Sequence, residues 1–183
     1  MILARPVLSM LVLTISPGEL PSGPSVGEPI PGLRVRVADG PGVGETLDLT
    51  VERGGRPTIY AFVQAAQLDR PLARLLRVID TALADETGDD GPRLVAVWLT
   101  DTPEASLEFL PRAQQSLKLT RTTWTVFEGA RQGPAGWSIN DSVGVTFVVA
   151  RDGKVVRSVG LDSWSDSDAR PTLAALRAGA SRP

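Results

Sequence analysis

The sequence predicts an α/β domain in which a central mixed β-sheet is covered by helices on both faces. Three observations carry this reading. Short β-rich runs alternate with stretches whose apolar residues recur at spacings of three and four, the signature of amphipathic helices. A late pair of β-rich runs flanks Asp152-Gly153, a strong hairpin signal. A short apolar stripe then closes the chain as a last helix. The 183 residues, 42% of them hydrophobic, suit one domain with its own core.

Residues 1–18 read as a secretory leader. Arg5 precedes the apolar run Val7–Ile15, and Ser16-Pro17-Gly18 follows with small residues. The run is well short of the roughly 20 apolar residues that span a bilayer, so no stable membrane span is expected. Residues 19–31, ELPSGPSVGEPIP, read as a Pro/Gly/Ser-rich linker without periodicity. The folded domain is placed at residues 32–180, with residues 181–183 as a tail.

Leu33–Val37 alternates apolar and polar residues, as a half-buried strand does, and Asp39–Gly44 reads as the turn of a hairpin with Thr46–Thr50. The glycines of that turn are not a phosphate loop, because no Lys follows them and no helix pattern opens there. Pro57–Val63 is a buried central strand. Leu68, Leu72, Leu75, Leu76, Ile79 and Leu83 mark one face of a helix, which ends near the Thr87–Gly91 loop. Leu94–Leu99 is a second buried strand, with Trp98 in the core. Thr102, Pro103 and Glu104 form a helix start. Thr102 is expected to cap free amides, Pro103 lacks the amide that would go unpaired, and Glu104 meets the positive helix end. That helix continues through Leu107, Leu110, Gln114 and Leu117, and Thr122–Phe127 is a third strand. Val145–Ala150 and Lys154–Val159 form the hairpin, and Pro171–Ala180 the last helix.

Composition excludes much chemistry. The chain has no Cys and no His. Thiol nucleophiles, disulfides, thiolate metal sites, imidazole ligands and triads that need His or Cys are therefore absent. Basic and acidic residues number 19 and 21, for a net charge of −2, which leaves no electrostatic footprint for nucleic acid. No metal or other cofactor is expected. Asp162, Asp166 and Asp168 form an acidic run, but without calcium-loop spacing, its Gly or its closing Glu. They read as a loop capping the last helix, and Asp89 and Asp90 as solvated loop residues.

Four segments in order carry a family resemblance over roughly Val26 to Ala180. These are Val26-Gly27-Glu28-Pro29-Ile30-Pro31, Gly55-Arg56-Pro57-Thr58-Ile59-Tyr60-Ala61-Phe62, Trp98-Leu99-Thr100-Asp101-Thr102-Pro103-Glu104, and the run from Val145-Thr146-Phe147 through Arg151-Asp152-Gly153-Lys154 to Val156. Together they resemble a thioredoxin-like domain of the redoxin or thiol–disulfide exchange type, which implies the thioredoxin-like fold.

The departures from that family decide function. Its members carry Cys-x-x-Cys at the start of the helix after the central strand, where the helix N-terminus activates the first thiol. Those positions fall here on Gln67, Leu68, Asp69 and Arg70. Neither Gln67 nor Arg70 can form a mixed disulfide. The proline that the family keeps beside its thiols, usually cis, corresponds to Gly144, or to Val145 if the register moves by one. A cis bond without proline costs about 2.5–4 kcal/mol, so an ordinary trans peptide is expected there.

The resemblance thus implies a domain without thiol–disulfide oxidoreductase or peroxidase activity. It would act as a binding module, exported to the periplasm or beyond if residues 1–18 are a leader and cytoplasmic otherwise. A protein or peptide partner would dock where the thiol site used to be, or at a sheet edge. Asp69 and Trp137 are the further candidate binding residues, Asp69 beside a helix start and Trp137 as a groove rim or a core residue. The alternatives are an enzyme of another class that reuses the cleft through carboxylates and Arg70, or a structural component of a secreted assembly.

Overall fold

A computed structural model describes residues 19–85, 88 and 91–178; the expected leader, Asp89, Asp90 and the end of the chain lie outside the described residues. The strands are β1 (Glu19–Leu20), β2 (Arg34–Asp39), β3 (Thr46–Asp48), β4 (Thr58–Gln64), β5 (Arg93–Leu99), β6 (Thr122–Phe127), β7 (Val145–Arg151) and β8 (Lys154–Leu161). The helices are α1 (Leu49–Arg53), α2 (Arg70–Ala84), α3 (Pro103–Leu117) and α4 (Ala169–Arg177). All eight strands form one mixed sheet in the order β1-β8-β7-β4-β5-β6-β2-β3. Strands β4, β5 and β6 are parallel, and β7 returns antiparallel to β4.

Every residue of β4 is buried, which is why it reads as an unbroken apolar run instead of an alternating one. Ile59, Ala61 and Val63 face a core with Leu72, Leu76 and Ile79 of α2, Leu110 of α3 and Leu173 of α4. Tyr60 and Phe62 face the other side, with Leu33, Leu49 and Trp137. The two crossovers, β4–α2–β5 and β5–α3–β6, step the same way across the sheet. Right-handed connections then place both helices on one face. Both faces carry helix, but unequally: α2, α3 and α4 share one, and five-residue α1 lies on the other beside the segments bearing Leu33 and Trp137.

Three local readings change. The piece Thr46–Thr50 is strand only to Asp48, whose carboxylate accepts from the Thr50 and Val51 amides and starts α1. Thr102 does not cap α3. Its hydroxyl lies 3.3 Å from that of Thr100, which also accepts from the Thr102 amide in a local turn. Residues 19–31 show no period, yet they lie along β8. Glu19 and Leu20 pair with Leu161 and Gly160, Gly27 N–H donates to Val155 O at 2.8 Å, and Ile30 N–H donates to Gly153 O at 2.9 Å. These are backbone bonds, which side-chain patterning does not reveal. No helix among the described residues is long and apolar enough to cross a membrane.

Candidate functional site

The chain leaves the central sheet at Gln64, makes a 3-10 turn over Ala65–Gln67, and enters α2 behind Asp69. Asp69 is the N-cap of α2, its Oδ1 accepting from Leu72 N–H at 2.8 Å, and Pro71 sits in the first turn. Next to this turn the chain enters β7. Gln64 N–H donates to Gly144 O and Gly144 N–H donates to Leu161 O, both at 3.0 Å. These bonds bring Gln67, Asp69 and Gly144 to one end of the sheet. No described peptide bond is cis.

A residue that sequence reasoning passed over sits between them. A Cβ on Gly144 would lie 2.4 Å from Cζ3 and 2.5 Å from Cη2 of Trp164, and 3.3 Å from the Gln67 Cβ. The indole therefore rests on Gly144 where any other residue would hold it off. Its Nε1 donates to Asp69 Oδ1 at 2.9 Å. Trp164 is held from behind by a capping box, in which Asp168 accepts from the Ser165 amide and hydroxyl, and by the Arg74–Asp166 ion pair at 3.1 Å. A lone large aromatic in a Ser/Asp-rich loop was the available signal, but its contacts were not readable from it.

The remaining sequence candidates are elsewhere. Arg70 is exposed, and no hydrogen bond or ion pair joins it to Gln67, Asp69 or Gly144 among the described residues. Trp137, weighed above as a groove rim or a core residue, is fully buried on the opposite face. It packs against Tyr60 and Phe62, with ring centroids 5.2 and 4.7 Å away, and donates to Gly32 O at 2.9 Å. Its indole N–H is satisfied inside the core, so it offers nothing to a partner. Within the same layer, burial pushes the Tyr60 hydroxyl up to about 12.

On the other side of Gln67 a cavity of about 400 Å³ opens at the C-terminal ends of β4 and β5. Gln64, Ala66, Gln67, Thr102, Arg131 and Ser142 are among its walls. Arg131 and Asp101 form an ion pair at its rim, and Gln132 Nε2 donates to Asp141 at 2.8 Å. This is the end of a parallel sheet at which α/β folds collect ligands. Hydroxyls, carboxamides and charges line it, so it can hold a polar group. With no thiol or imidazole in the chain, it lacks a nucleophile–base pair of those kinds.

A second cavity, of about 410 Å³, lies at the opposite ends of the same strands. The guanidinium of its buried Arg53 bonds Thr58 Oγ1, Pro57 O and Gly91 O, which staples the loops into β4 and β5.

No family model and no curated protein match the chain. Solved structures do resemble it. The peroxidoxin BcpB from Mycobacterium tuberculosis is 16% identical with a TM-score of 0.62, over 85% of this chain and 98% of that one. An uncharacterized thioredoxin-like protein from Porphyromonas gingivalis is 16% identical with a TM-score of 0.60, over 81% and 90% of the two chains. A thiol peroxidase from Chromobacterium violaceum is 15% identical with a TM-score of 0.56, over 82% and 86%. The chain has the thioredoxin-like fold of these proteins, and it contains no cysteine.

Proposed function

We propose that this is a redox-inactive thioredoxin-like domain that acts by binding an extended peptide or protein segment in the groove beside Gln67. One observation carries the reading. By the resemblance, Gln67 and Arg70 match the family's thiol positions and Gly144 its proline, and Trp164 covers Gly144. Thiol exchange needs both thiols and free access to that surface, and neither is present. What stays open is the polar cavity on the far side of Gln67, which can recognise a ligand without covalent chemistry. The apolar run Val7–Ile15 supports export of the domain. A hydrolase built on Asp69 and Arg70 has less support, because the Asp69 carboxylate is held by Leu72 N–H and the Trp164 indole.

Two measurements test the proposal. Purified protein should show no disulfide-reductase or peroxidase turnover; robust turnover without an added thiol protein would sink the redox-inactive reading. A displayed library of random linear peptides should yield binders to the wild type that lose affinity for Ser142→Trp, whose indole fills the cavity. Recovery of no binders, or of binders indifferent to that substitution, would remove the groove as the binding surface.

A further inference from the structure

The cavity beside Gln67 has a chemical preference, which rests on the reading that this groove binds a ligand. Its walls carry several acceptors that no described donor reaches. Gln64 is only 7% exposed; its Nε2 donates to Arg131 O at 3.0 Å, and its Oε1 has no partner among the described residues. The Ser142 hydroxyl donates to Asn140 Oδ1 at 2.6 Å, which leaves its lone pairs. Asp101 takes the Arg131 guanidinium on Oδ2, and Asp141 takes the Gln132 amide on Oδ2. The Oδ1 atoms of both carboxylates have no partner among the described residues. Two carboxylates against one guanidinium leave these walls with one net negative charge.

Donors line it as well: Gln67, the Thr100 and Thr102 hydroxyls, and Arg131, whose Nη2 is held by Asp101. A weakly negative cavity of about 400 Å³ with unpartnered acceptors complements a small cationic group with several N–H donors. An acceptor such as Gln64 Oε1 also discriminates, because a ligand without a donor would cover it and leave it unpaired. We infer that the cavity takes the guanidinium or ammonium group of an Arg or Lys side chain, presented by an extended segment of a partner protein.

The test is a titration of the ¹⁵N-labelled full chain with three probes: acetyl-Gly-Arg-Gly-amide, the neutral acetyl-Gly-Gln-Gly-amide, and agmatine as a free guanidinium amine. The Arg peptide should give saturable shifts at Gln64, Thr100 and Ser142, with at least tenfold tighter binding than the Gln peptide. Gln64→Leu should weaken it about tenfold, with its thermal midpoint recorded to confirm folding. Asp141→Asn, at an exposed position, should weaken it about threefold and reduce its salt dependence. Equal binding of the Gln peptide would overturn the cationic preference while leaving the groove reading intact. Binding of agmatine but not of the Arg peptide would overturn the partner segment as the source. No shift at the cavity with any probe would overturn both readings.

Discussion

Asp69 Oδ1 accepts two hydrogen bonds, from Leu72 N–H at 2.8 Å and from the Trp164 indole at 2.9 Å, and so ties the start of α2 to a loop 95 residues away. One oxygen both caps the helix and seats the tryptophan. Asp69→Ala should therefore cost more than loss of an exposed cap alone. The cap is worth about 0.5–2 kcal/mol and the second bond about 1 kcal/mol more. Urea unfolding should show this loss together with greater acrylamide quenching of tryptophan fluorescence. An unchanged midpoint would mean that the pair is incidental.

Gly144→Ala tests the contact from its other side. The new methyl cannot share space with an indole carbon 2.4 Å away, so the ring must leave Gly144. Crowding of this kind costs about 1–3 kcal/mol. In Trp164→Ala the space is already empty, and adding Gly144→Ala to it should cost much less. The double-mutant cycle should show coupling of about 0.5–3 kcal/mol. Simple additivity would place Trp164 away from Gly144 in solution.

Asp80 is the buried link between α2 and β6. Its carboxylate accepts from Thr120 N–H at 2.9 Å, Arg121 N–H at 2.8 Å and the Thr122 hydroxyl at 2.7 Å, and it is 3% exposed. Asp80→Ala strands three donors in one step. At about 1–3 kcal/mol for each unsatisfied group, relaxed in part by water, a loss of roughly 3 kcal/mol or more is expected. A variant that melts within a degree or two of wild type would contradict this assignment.

Tyr60 is the chain's single tyrosine, so its ionisation can be followed without interference near 295 nm. Burial raises its pKa, nearby Asp48 adds to the rise, and Arg53 with the Thr58 bond opposes it; the result is about 12. The unfolded phenol titrates near about 10. The neutral form thus supports the fold fully below pH 10, and that support is lost as pH rises through about 12. Native protein should give no phenolate band between pH 10 and 11, and Tyr60→Phe should flatten the fall of stability across pH 10–12. An early, reversible band in folded protein would refute the burial of this ring.

Much of the sheet was legible because burial leaves a pattern. Ile59–Val63 and Leu94–Leu99 are largely apolar since both of their faces are covered, and Asp152-Gly153 turns where a hairpin needs a left-handed pair. Gln67 and Gly144 were singled out through the order of four segments. Trp164 was not legible, because its role depends on a contact with residues far away in sequence, and it lies in no periodic element. Trp137 read as a core residue or a groove rim, and the structure decides for the core, with its ring against Tyr60 and Phe62. Gln64 lies one residue beyond the predicted strand Pro57–Val63, and only the packed loop at Arg131 shows how its carboxamide is oriented.

The segment laid along β8 bears on self-association. An open sheet exposes unpaired backbone groups at its two margins, and each margin is a template for another chain. Here one margin is occupied by residues 19–30 of the same chain, and the other is β3, three residues long and ended at once by α1. Proteolytic trimming up to residue 30 would strip β8 of these partners and bare its outer backbone groups. Such a clipped form would be the adhesive species in a preparation, while the strapped chain resists edge-to-edge stacking.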